Sequence, residues 1–336
     1  MTMISKLLLA LAILSSYQAQ TFTQSNVVGI SFGNQDNQLG TRDEMISQEV
    51  TDDYGSFIEG PISFRVGDHH RFYFLDHFKQ RLLTLDAKGK LQNSTPLPSF
   101  DDRELELVDF WILDPARILY LDSISQDLIL SNYKDKTHTV VQTLKLKDQD
   151  LYFDRLQAYG SNEVYSLDRV SGALYKVYPG QMKSVIAAST EDSNFSVTNI
   201  MGRSDSVLAF QASESNPEMI NFYQLEQKND KVRANLLFKN APMGNYSAIK
   251  ILNANNKRLD ALLVSQGEEK SIWDRYLVVG PNGDTFQNRK LGLNVIPWYM
   301  TRSFYFKAPF LYLLTPSKDK GIKIHRINLS RLKPKS

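Results

Sequence analysis

The sequence predicts an all-β chain built as a β-propeller, most simply with six four-stranded blades and a ring closed by an N-terminal strand. Three observations predict it. Leu75-Asp76, Leu121-Asp122 and Leu167-Asp168 recur every 46 residues, and Leu82, Leu128 and Leu174 follow each Asp at one fixed distance. A period in the forties with strand-like content is the mark of propeller blades. Within each copy, dense β-formers and period-2 alternation surround a short polar turn, as in Arg71–Asp76 and Arg81–Asp86. No sustained apolar pattern at helical spacing occurs after the first twenty residues.

The elements follow in order. Lys6, the apolar run Leu7–Leu14 and the polar exit Ser15–Gln20 read as a secretory signal peptide over 1–20, cut near Ala19 or Gln20. That run is shorter than the ~20 helical residues that a bilayer requires. Residues 21–336 then form one propeller domain. Asn26–Phe32 is an orphan strand, followed by a polar, acidic connector over 34–60. A short strand at Met45–Val50 in that connector would make the count seven, the alternative. Blades fall near 60–100, 104–147, 152–190, 195–240, 245–292 and 295–330. The sixth runs out of chain before its outer strand, so Asn26–Phe32 is expected to complete it and remove two open sheet edges.

The segment Asp76–Lys90 (DHFKQRLLTLDAKGK) resembles an NHL-type propeller repeat: a strand ending in Asp, a short turn, Arg with an aliphatic residue, then an Asp-x-x-Gly turn. Tyr120-Leu121-Asp122 and Tyr165-Ser166-Leu167-Asp168 are similar to the related YWTD-type blades. The match is good for one repeat, partial for two, and fades after about residue 200, where the Asp is lost. The resemblance implies a blade architecture and carries no catalytic residues.

Composition narrows the function. The chain is 42% hydrophobic and 23% charged with a formal charge of +2, which argues against a dedicated nucleic-acid or polybasic membrane binder. The basic stretch Lys318–Lys335 reads as a solvated tail. The chain has no cysteine, so thiolate zinc sites and thiol catalysis are excluded. No later segment is long and apolar enough to be transmembrane. The expectation is a monomeric secreted or periplasmic protein.

Chemistry-bearing residues are few. Asp76, Asp122 and Asp168 stand at strand ends, where a carboxylate accepts backbone N–H groups of the following turn, and equivalent positions on successive blades diverge. His69, His70 and His77 cluster around the first hairpin without a His-Glu-x-x-His spacing. No metal site is expected from either group. Trp298 and Tyr299 followed by Arg302 are the binding candidates on a loop face; the other aromatics, among 18 Phe, 16 Tyr and 3 Trp, read as packing between blades. The preferred function is therefore a non-enzymatic exported module that binds a protein, peptide or glycan, with no cofactor. The alternative is a metal-assisted hydrolase of the lactonase kind, with a divalent metal such as calcium in the central channel. Its candidate ligands are Glu104, Asp109, Asp114, Asn199 and Asn253, which precede or lie in inner strands.

Overall fold

The structure is a computed structural model. It describes residues 26–41, 60–145, 151–159, 163–170, 173–186, 196–200, 206–213, 216–228, 231–242, 246, 248–255, 257–266, 271–293, 303–317 and 321–329. The signal segment 1–20, Met45–Val50 and Trp298, Tyr299 and Arg302 lie outside the described residues.

The described strands form six antiparallel sheets of four strands each. Blade I comprises β2 (Ser63–Val66), β3 (Phe72–Asp76), β4 (Arg81–Leu85) and β5 (Leu91–Pro96). Blade II comprises β6 (Leu107–Asp114), β7 (Arg117–Asp122), β8 (Asp127–Asn132) and β9 (Thr137–Thr143). Blade III comprises β10 (Phe153–Tyr159), β11 (Glu163–Asp168), β12 (Leu174–Tyr178) and β13 (Lys183–Ile186). Blade IV comprises β14 (Ser196–Ile200), β15 (Ser206–Ser213), β16 (Asn216–Lys228) and β17 (Lys231–Ala241). Blade V comprises β18 (Ala248–Asn255), β19 (Arg258–Gln266), β20 (Ser271–Val279) and β21 (Thr285–Leu293). Blade VI comprises β22 (Phe304–Lys307), β23 (Phe310–Ser317) and β24 (Gly321–Asn328), with β1 (Asn26–Ser31) as its fourth strand. The N-terminal strand thus closes the ring, from Asn26 opposite Arg326 to Ser31 opposite Gly321. Phe32 leaves that ladder and bridges Leu39 instead.

The core lies between blades. Among the described residues the buried apolar side chains form six clusters, one for each neighbouring pair in the ring. Period-2 alternation makes this possible, because successive side chains point to opposite faces of a strand. In blade I, Phe72, Phe74, Leu83 and Leu85 face blade VI, whereas Leu75 and Leu82 face blade II. The middle strands are therefore buried on both faces, and β4 has no exposed residue. The outer strand β9 alternates exposed and half-buried positions.

The repeated Leu and Asp positions are equivalent in space as well as in sequence. Leu75, Leu121 and Leu167 each pack into the interface with the next blade. Asp122 Oδ1 accepts Glu106 N–H at 2.7 Å and Asp168 Oδ1 accepts Tyr152 N–H at 2.8 Å, while the same carboxylates accept Ser125 N–H and Val170 N–H from the turns that follow. Each carboxylate therefore ties its own turn to the segment leading into its blade's inner strand. Asp76 does the corresponding work in blade I with different partners, Gly40 N–H at 3.0 Å and the Arg81 guanidinium at 2.9 Å. The Asp-x-x-Gly turn closes with Asp86 Oδ1 accepting Lys88 and Lys90 N–H, and Gly89 supplies a φ of +82°.

Candidate functional site

The inner strands β2, β6 and β10 carry a buried polar network across three blades. Arg65 on β2 is 2% exposed and Asp109 on β6 is fully buried. Arg65 Nη2 donates to Asp109 Oδ2 at 2.9 Å and to the carbonyl of Leu156 on β10 at 3.0 Å, and its Nε donates to the carbonyl of Phe110. Asp109 Oδ1 accepts Ser63 Oγ–H at 2.6 Å, and Oδ2 also accepts Leu156 N–H at 2.8 Å. Charges out of water persist only when paired and hydrogen-bonded, and this pair is both. The guanidinium also lies over the Trp111 ring, 4.3 Å from its centroid, which fixes the indole.

Above this network a cavity of about 510 Å³ opens at the exit ends of β22, β2 and β6. Links between blades feed the entry ends of the inner strands, so the cavity lies on the opposite face of the ring. Tyr73, Trp111 and Tyr305 line it, with Arg65, Arg71 and Lys307 as cations and Asp68 and Asp114 as acids. Strand periodicity aims Tyr305 and Lys307 the same way from β22. Gly67 lets Tyr73 close onto the backbone: a Cβ at that position would stand 2.6 Å from the phenol ring.

Both acids of the lining are already engaged. Asp68 Oδ1 accepts Lys307 Nζ–H at 2.8 Å, and that hydrogen bond and charge hold its carboxyl below the usual range. Asp114 Oδ2 accepts Arg117 Nε–H at 2.6 Å while Oδ1 accepts the Ala116 and Arg117 N–H groups at 2.9 Å. The Arg117 contact is the main reason its carboxyl sits low. Arg71 differs: its backbone closes the 67–71 turn through Arg71 N to Asp68 O and Gly67 N to Arg71 O, yet its exposed side chain makes no ion pair among the described residues.

The residues singled out from sequence are scattered by this geometry. Glu104 is exposed in the link before β6, Asp109 is locked at mid-strand, and Asp114 stands at the far end of the same strand. Asn199 and Asn253 lie on β14 and β18. His69 and His70 sit in the turn before β3 and His77 in the turn after it, so a five-residue strand, roughly 17 Å, separates them. His70 Nδ1 lies 2.5 Å from the Tyr312 hydroxyl, and its ring meets Phe310 edge-on. Burial is the main reason its pKa is lowered.

Sequence reading missed Arg65, Trp111, Tyr73 and Tyr305 as site residues. One signal was available: Ser63, Phe64 and Arg65 occupy the same repeat register as Asp109, Phe110 and Trp111, 46 residues on. That register aligns the inner strands that build the cavity floor.

No family model and no curated protein matches this chain. Among solved structures it is similar to virginiamycin B lyase from Staphylococcus aureus, at 9% identity over 90% of this chain and 100% of that one, with a TM-score of 0.49. It is also similar to the calcium-binding protein regucalcin from Agrobacterium tumefaciens, at 10% identity over 79% and 88%, with a TM-score of 0.46. A third is YCF48 from Cyanidioschyzon merolae, at 11% identity over 91% and 97%, with a TM-score of 0.48. Likeness at this level says nothing of activity, because one scaffold hosts unrelated chemistries.

Proposed function

We propose that this chain is an exported, monomeric, non-enzymatic propeller of NHL/YWTD-type blades that binds a protein, peptide or glycan, and that the cavity at the ends of β22, β2 and β6 is its ligand site. One observation carries the reading: aromatic walls and cations stand around a cavity whose own carboxylates are each paired with a basic neighbour. A site of this size, with three aromatic walls and several charged groups, suits a small ligand or one anchoring element of a larger one. The side chains are held by strands and by the buried Arg65–Asp109 pair, which gives the preorganisation that binding favours. Export rests on the basic, apolar and polar succession of residues 1–20. Near-neutral charge supports partners other than nucleic acid.

Peptide and glycan arrays probed with labelled mature chain test this reading. Hits lost on Tyr305→Ala, with circular dichroism unchanged, support it. Hits undiminished by Tyr305→Ala and by Trp111→Ala, or conversion of the retained ligand to product, overturn it.

A further inference from the structure

We propose that the cavity takes a carboxylate carried on a flat apolar body. This rests on the reading of the cavity as the ligand site and assigns the ligand's chemistry. Asp68 Oδ1 accepts from Lys307 and Asp114 Oδ2 from Arg117, so each acid of the lining is paired with a basic neighbour. Among the cations, Arg65 is committed to Asp109 and Lys307 to Asp68 and the Gly67 carbonyl.

Arg71 is left. Its main chain is pinned in the 67–71 turn, and it lines the cavity with an exposed side chain that makes no ion pair among the described residues, although its charge is near enough to help lower the Asp68 carboxyl. A guanidinium presents a planar fork of N–H donors that matches a carboxylate in two parallel bonds. Beside it stand three ring walls. Trp111 is backed by Arg65, Tyr305 packs edge-on against Phe64 with centroids 6.4 Å apart, and Tyr73 lies against the backbone at Gly67. Rings fixed in this way favour stacking with another flat group. The volume of about 510 Å³ accommodates a body of that kind with its carboxylate at the Arg71 rim. The same group is presented by a free aromatic acid and by the terminal residue of a peptide.

The test is calorimetric titration of the mature chain with phenylacetate, with N-acetylphenylalanine, and with the neutral amide of each. At least one carboxylate is expected to bind saturably, about tenfold or more tighter than its amide, because a charge-assisted hydrogen bond is lost in the amide. Arg71→Gln, a substitution on an exposed side chain, is expected to abolish that difference with the circular dichroism spectrum intact. Phenylacetate alone binding identifies a small acid as the source, and N-acetylphenylalanine alone identifies a peptide end. Amides binding as tightly as acids, Arg71→Gln without effect, or no binding by any of the four probes overturns the proposal. If array hits are nonetheless lost on Tyr305→Ala, the cavity stands as a ligand site and the charge assignment alone has failed.

Discussion

Removing the Asp109 carboxylate should destabilise the ring more than any surface substitution, and the size follows from three contacts. Asp109→Ala deprives Ser63 Oγ–H, Arg65 Nη2–H and Leu156 N–H of their acceptor at once. It also leaves a guanidinium 2% exposed without its counter-charge. Breaking a buried pair in this way costs about 3–5 kcal/mol. At about 2 °C per kcal/mol for a domain of this size, the melting temperature should fall by roughly 6–10 °C. Asp109→Asn separates charge from hydrogen bonding. Its amide oxygen can accept from Arg65 and Leu156 while its NH₂ donates to the Ser63 hydroxyl, so the loss should be smaller than for Asp109→Ala by the hydrogen bonds retained, with the buried guanidinium still lacking its counter-charge. The double variant Arg65→Met with Asp109→Leu removes both charges and should recover most of the Asp109→Ala loss. Urea unfolding followed by circular dichroism and by tryptophan fluorescence measures all three, since Trp111 lies directly on Arg65. An Asp109→Ala cost below about 1 kcal/mol, or a larger cost for the Asn variant than for the Ala variant, would overturn this account of the pair.

Deleting Asn26–Ser31 should lower the melting temperature of the whole chain in a single transition, because it bares the edge of β24 and removes Ile30, whose burial alone contributes ~2 kcal/mol; equal melting of the truncated and full mature chains would disprove closure. His325, hydrogen-bonded to Thr315 Oγ1 at 2.8 Å, has its pKa lowered by burial and then by Lys323, and burial lowers His138 as well. Below the ordinary histidine value of ~6.5 the unfolded chain therefore binds more protons than the folded one, so stability should be flat above neutrality and fall as pH drops through ~6.5. Differential scanning calorimetry from pH 8 to 5 should show that fall, shallower in His325→Gln. Gly283→Ala should cost about 1–3 kcal/mol by thermal melting, because φ is +82° and the new Cβ would stand 2.6 and 2.7 Å from the carbonyl oxygens of Lys239 and Asn240 on the neighbouring blade.

What could be read in the sequence was whatever repeats. Leu75, Leu121 and Leu167 share a register because each must fill the same gap against the next blade, and Asp122 and Asp168 share one because each must tie a turn to the segment before an inner strand. Blade count and closure followed from the same logic, since a missing outer strand in blade VI and an unpaired strand at Asn26–Ser31 leave two edges that satisfy one another. Local alternation and turn chemistry dictate those features, so one strand at a time suffices to see them.

The cavity obeys no such local rule. Tyr305 and Arg65 come from opposite ends of the chain and meet only because closing the ring sets blade VI against blade I. The scaffold was legible along the chain, because burial on both strand faces imposes a period that can be counted. Ring closure sets which charges hold blades together, as Asp109 does, and which line the cavity, as Arg71 does. A hydrogen-bonding partner is a matter of position in space, and a propeller brings to its axis residues whose separation along the chain carries no signal of their approach.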